Sequence, residues 1–177
     1  MITNNTMFIE KAVKDSSDFL LEQLEGLKAH LERVIPLGND EKGIGKSQVQ
    51  NLLRASQTAS GIPELKLFVR YQMGRDGGNG WAHMHEGKKF GDRMVAVLNR
   101  IDGEAKKIAS DVMECDGVTE LGMRLVERFF VYMHWQFTYS SSTIKKKNDN
   151  RTRTEDRNSH GSDRLKGYKG HQKGGGR

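Results

Sequence analysis

Apolar residues recur along this chain at spacings of three and four, the period of helices that bury one side. The clearest case begins after Phe19, where Leu20, Leu24, Leu27, Leu31 and Val34 form a narrow seam with Glu22, Glu25, Lys28 and Glu32 between them. Pro36 closes it, since proline cannot continue a helix. Ahead of the seam, residues 7–13 predict a short helix, and Asp15 to Asp18 offer caps for the next one. Val49, Leu52, Leu53 and Ser56 predict a helix capped by Ser47 and running to about Ser60, with Gly61-Ile62-Pro63 as the break. Leu65, Phe68, Val69 and Gln72 or Met73 then mark a buried stripe, with Gly74 in position to end the helix in a left-handed conformation. From Phe90 the positions Met94, Val97, Leu98, Ile101, Ala105, Ile108, Ala109 and Val112 predict a long helix, with Asp102-Gly103 as a potential kink and Asp116-Gly117 as its end. The last helix, about Val118 to Tyr139, is the most hydrophobic. No stretch alternates in the manner of a strand. The pattern predicts an all-α fold, a compact bundle of five or six helices over residues 1–140.

Composition changes that picture at the C-terminus. Residues 145–177 hold 11 Lys and Arg against 4 Asp and Glu, with Ile144, Leu165 and Tyr168 as the last large apolar groups. Residues 141–177 are therefore expected to be a disordered basic tail rich in Gly, Lys and Arg. The net charge of +6 sits in that tail, but the remainder is sorted too: residues 42–107 carry 12 basic and 6 acidic groups, whereas residues 1–41 carry 4 and 8. Such sorting suits a basic surface for an anionic polymer on an otherwise acidic body, or charged helix faces that interleave in space. The single cysteine, Cys115, excludes an internal disulfide, and no apolar run approaches the length of a membrane span. With no secretory pattern at the start, a soluble cytoplasmic protein is expected.

Candidate catalytic chemistry is sparse. His83 and His85 beside Glu86 are two residues apart next to a glycine-rich loop, and that spacing does not put both on one helix face as a helical metal site requires. They read as solvent histidines in a loop, and His134 as a core-edge histidine. Cys115, between Glu114 and Asp116, sits in a negative setting that raises a thiol pKa, the wrong direction for a nucleophile. Gly43-Ile-Gly45-Lys46-Ser47 lacks the earlier glycine and preceding strand of a phosphate loop. The chain reads as a non-enzyme without cofactor or metal. Its cations form a better pattern. Lys66 and Arg70 are one helical turn apart, Arg75 follows Gly74, and Lys46 and Arg54 are available on the exposed side of the helix before.

Three segments in order resemble a known family: Ser47-Gln-Val-Gln-Asn-Leu-Leu53, Leu65-Lys-Leu-Phe-Val-Arg-Tyr-Gln-Met-Gly-Arg75 and Arg124-Leu-Val-Glu-Arg-Phe-Phe-Val-Tyr132. Together they look like the small all-helical subunit of type III CRISPR effector complexes of the Csm kind, across roughly residues 45–139. The resemblance implies a non-catalytic ribonucleoprotein component in antiviral defence. Several copies would stack along the guide RNA–target RNA duplex, against the backbone subunits, the large signalling subunit and one another. It carries Lys66, Arg75 and Arg124 over as basic positions. Where the family pattern has lysine and arginine in the first segment, this chain has Gln48 and Gln50, which hydrogen-bond phosphate or ribose without charge. The Gly77-Gly78-Asn79-Gly80 loop and the basic tail look like additions to the common pattern. The expected RNA contacts are thus Lys46, Gln50, Arg54, Lys66, Arg70, Arg75 and Arg124, with Lys88, Lys89 and Arg93 as a second row. The alternatives are a helical adaptor binding only protein partners, a free-standing nucleic-acid-binding helical protein and a metal-dependent nuclease.

Overall fold

A computed structural model describes residues 2–35, 43–75, 80–110 and 115–164, with side chains for 5–35, 43–75, 80–110 and 117–146. Six α-helices carry the chain: α1 (Ile2–Asp15), α2 (Ser17–Arg33), α3 (Lys46–Thr58), α4 (Ile62–Arg75), α5 (Phe90–Ala109) and α6 (Cys115–Arg164). The protein is all-α but for a hairpin of two-residue strands, β1 (Met84–His85) and β2 (Lys88–Lys89), entered through a 3-10 turn at Gly80–Ala82. Contacts divide the chain into two units, Met1–Ser141 and Ser142–Arg177. Among the described residues no helix is long and apolar enough to cross a membrane.

The periodic positions fill the core. Leu20, Leu27 and Leu31 of α2, Leu52 of α3, Leu65 and Val69 of α4, Met94, Leu98 and Ile101 of α5, and Leu125, Phe129 and Met133 of α6 are all buried. Each such side chain contributes about 1.5–3 kcal/mol of burial. Helix α5 is central, packing against both α2 and α4. Its Ala105, with Ile62 of α4, faces Gly122 of α6, where an added Cβ would lie 3.3 Å from Ile62 Cδ1 and 3.6 Å from Ala105 Cβ. Glycine there lets α6 approach the other two helices closely.

Local chemistry sets the helix ends. α1 and α2 are separated by Ser16 alone, whose hydroxyl donates to the Ala12 carbonyl at 2.8 Å, a back-bond that bends helices. α3 begins at Lys46 with Gly45 as its cap, so Ser47 lies inside the first turn instead of capping it. At the start of α4, the Ser60 N–H and hydroxyl both donate to Glu64 Oε2, at 2.8 and 2.9 Å. These bonds hold the Glu64 carboxyl below its usual range. Gly74 is helical rather than left-handed, because α4 continues through Arg75. Asp102-Gly103 does not split α5, which instead ends at Ala109, and Asp116-Gly117 falls within α6. Past residue 140, the segment expected as a tail contributes no buried apolar residue among those described. Its backbone is helical to Arg164: it contains no proline as far as that residue, and a formed helix propagates without a new nucleus. Residues 165–177 and the Gly77–Asn79 part of the loop lie outside the described residues.

Candidate nucleic-acid interface

Helix α3 turns Val49, Leu52 and Ser56 inward, which leaves Lys46 and Arg54 exposed and Gln50 half-buried between them. These three positions are four residues apart in succession, so they follow one another along a single side of the helix. Helix α4 buries Ile62, Leu65, Val69 and Gln72. Its outward strip is Leu67, Tyr71 and Gly74, with Arg70 and Arg75 exposed and Lys66 half-buried. Lys46, Arg54, Lys66, Arg70 and Arg75 form no ion pair among the described residues. The Arg75 guanidinium lies 5.8 Å from the centroid of the Tyr71 ring, within cation–π range, which fixes it beside an exposed aromatic face.

Phase around α4 separates the cations into two sets. Lys66 and Arg70 share one flank of the outward strip. Arg75 follows Lys66 by nine residues, and at about 100° per residue that is half a turn out of phase. A single line of phosphates running along one flank therefore meets Lys66 and Arg70, whereas Arg75 and Tyr71 meet it only across the strip.

Arg124 has a different setting. It is ion-paired with Glu127 at 3.4 Å and lines a groove between α1 and α6 with Glu10, Lys14 and Glu120. Its neighbours come from α1 and α6, not from α3 or α4. Within the second row, Lys88 and Lys89 are exposed on β2, but Arg93 is half-buried and donates to Glu86 Oε2 at 2.9 Å and to the His85 carbonyl at 3.2 Å. That bond, before the charge of His85, holds the Glu86 carboxyl below its usual range.

The histidines are not loose loop residues. Glu86 and Gly87, with φ of 50° and 71°, form the two-residue turn of the hairpin, the geometry that matches strand twist. The hairpin folds back onto His30 of α2, which is 1% exposed. The His30 ring meets His83, His85 and Phe90 edge-on, at centroid distances of 5.7, 5.2 and 5.3 Å. Its Nε2–H donates to the His83 carbonyl at 3.1 Å, and its Nδ1 has no partner. Burial pushes the His30 pKa down to about 4 against the pull of that hydrogen bond, and the charge of Arg93 adds to the depression. His30 is thus a neutral core histidine. Among the described residues no group of three or more His, Cys, Asp and Glu side chains is placed to hold a metal ion. Trp81, buried beside Phe90, donates from Nε1 to Gln48 Oε1 of α3 at 2.8 Å. Gln48 is thereby tied to the fold.

Sequence reading found the cations but missed the carboxylate partner of Arg93 and the burial of His30. The His30 contacts span 53 residues, which no local pattern reports. Compared with known family models, curated proteins and solved structures, the chain matches none.

Proposed function

We propose that this chain is a non-catalytic RNA-binding subunit of a larger RNA-guided assembly, the role implied by its resemblance to small subunits of type III CRISPR effector complexes. The observation that carries the reading is the set of cations on α3 and α4. Lys46, Arg54, Arg70 and Arg75 are exposed and hold no carboxylate among the described residues. Lys11, Lys14, Arg33, Lys88, Lys89 and Arg128 are likewise unpaired but scattered over α1, α2, β2 and α6, whereas α3 and α4 gather theirs on consecutive helices. Unpaired guanidinium and ammonium groups on consecutive helices suit phosphate oxygens, which position a nucleic acid without reading its sequence. A subunit that serves every guide requires that indifference to sequence. Lys66 reaches the same flank as Arg70, and Gln50 supplies an uncharged donor between Lys46 and Arg54. Arg124 is the weakest member of the set, because binding phosphate there means giving up Glu127.

Purification of the tagged full-length chain under native expression tests the role. The proposal requires a guide-length RNA and larger protein subunits at fixed stoichiometry. Recovery of the chain free of RNA and of such subunits overturns it. Chelator-sensitive RNA cleavage by the purified chain would replace it with the nuclease reading.

A further inference from the structure

The side of the body formed by α2 and α6 carries a second feature, independent of the α3–α4 cations. Leu21 of α2 is 47% exposed, and Trp135 and Tyr139 of α6 are 61% and 66% exposed. Together with Leu24 and Tyr132 they line one continuous groove between the two helices. The Tyr132 and Trp135 rings pack on each other with centroids 5.7 Å apart. Single exposed apolar residues are ordinary, but a contiguous aromatic groove between two helices marks an interaction surface.

The charge around the groove selects its occupant. On α2, Leu21 is bordered by Asp18, Glu22 and Glu25, all exposed, which outnumber the two cations on the same strips, Lys28 of α2 and Arg128 of α6. Only Glu25 among these three is seen in an ion pair, with Lys28 at 3.2 Å, and Glu25 itself remains largely in solvent. Carboxylates beside exposed indole and phenol faces favour cations, which bind both. They repel phosphodiesters, so base stacking on Trp135 is opposed where binding at α3 and α4 is assisted. We infer that the α2–α6 groove docks a Lys/Arg-rich amphipathic helix of a protein partner, with apolar anchors against Leu21 and Trp135 and basic residues toward Asp18, Glu22 and Glu25. The chain then has two working faces of opposite charge preference, one for RNA and one for protein. The second stands even if the first fails.

The chain has two tryptophans, and Trp81 is 1% exposed, so quenching of emission by acrylamide reports Trp135. The full-length chain is titrated with three probes: a 14-residue Leu/Lys peptide of helical period, its Leu/Glu counterpart and a single-stranded oligouridylate, the peptide length being about four helical turns. The Leu/Lys peptide is expected to shift Trp135 emission to the blue and to cut its quenching about twofold, with saturation. Weakening of about tenfold is expected in an Asp18→Lys, Glu22→Lys variant, and in Leu21→Lys by calorimetry, with unchanged helical circular dichroism. Equal protection by the Leu/Glu peptide overturns the inference. So does protection by oligouridylate, which would make the groove a nucleic-acid site. Trp135 protection that rises with protein concentration alone would assign the groove to a second copy of the chain and equally overturn it.

Discussion

His30 gives the most quantitative test of the fold. The residue is buried with one ring nitrogen donating to the His83 carbonyl and the other without a partner, and its pKa is pushed from 6.5 to about 4. In the unfolded chain the imidazole titrates near its ordinary value. Between those two pH values the unfolded state therefore binds a proton at residue 30 that the folded state excludes, and stability falls as the pH drops. The contribution is fully present above about 6.5 and exhausted below about 4. At about 1.4 kcal/mol per unit, the difference amounts to about 3 kcal/mol of lost stability across the window. Urea unfolding followed at 222 nm, repeated from pH 7.5 to pH 4.5, measures it, with those values chosen to bracket roughly the ordinary histidine pKa. Replacement by His30→Gln keeps an amide N–H for the His83 carbonyl and removes the titration. The variant should lose stability at neutral pH through imperfect packing, yet show a pH slope flatter than the wild type by up to about 1.4 kcal/mol per pH unit. Superimposable slopes for the two proteins would refute the account of His30 as a buried neutral base. The hairpin bearing His83 and His85 packs on this ring, so protection of its amides from exchange should fall in parallel.

Other consequences follow from packing. An alanine at Gly91 would drive its Cβ into the Met73 thioether and to 3.2 Å from the Trp81 carbonyl oxygen. Gly91→Ala should therefore cost about 1–3 kcal/mol in thermal or urea unfolding, despite alanine's better helix propensity. Leu98, buried at the centre of α5, should cost about 2–5 kcal/mol on truncation to alanine, read by the same melts. Trp81→Phe removes the donor to Gln48 Oε1 and leaves a void where the larger indole stood, and should cost about 1–3 kcal/mol, with reduced amide protection at the start of α3.

The helices were legible because each buries one stripe, and a stripe at spacings of three and four is a local property of the chain. Leu20 to Val34 and Phe90 to Ala109 show it without interruption. What failed were signals with two readings. Gly74 was placed where a left-handed cap is common, but its neighbours carry the helix through Arg75. Asp116-Gly117 resembles a stop, yet both residues sit in the first turn of α6, where a break in helical propensity costs little. The hairpin was invisible because strands of two residues have no period to detect.

The candidate interface was legible as a list of cations but not as a surface. Lys66 and Arg75 are both basic positions of one helix in the sequence, although nine residues place them on opposite flanks of α4. Arg93 and Arg124 carried the same formal charge as Arg54 or Arg70 in the sequence. Glu127, three residues after Arg124, is a helical pairing partner that the sequence already offers, but Glu86, the partner of Arg93, emerges only with the side chains in place. The aromatic groove was hidden for a similar reason. Trp135 widened the apolar arc of a core helix, and nothing in its local sequence distinguished an exposed ring from a buried one.

The central claim is that the α3 and α4 cations bind RNA backbone. Its most direct test is the salt dependence of affinity for a single-stranded RNA of mixed sequence, measured by fluorescence anisotropy on the full-length chain. The comparison protein carries Lys46→Gln, Arg54→Gln, Lys66→Gln and Arg70→Gln together, with Arg75 on the opposite flank left in place and the fold checked by circular dichroism. Each phosphate contact contributes a slope of about 0.7 in the logarithm of affinity against the logarithm of salt, so four contacts account for about 3. The account predicts a variant slope smaller by about 3, the same loss for RNAs of different sequence, and weaker binding at low salt. Equal slopes and equal affinities for the two proteins would contradict it.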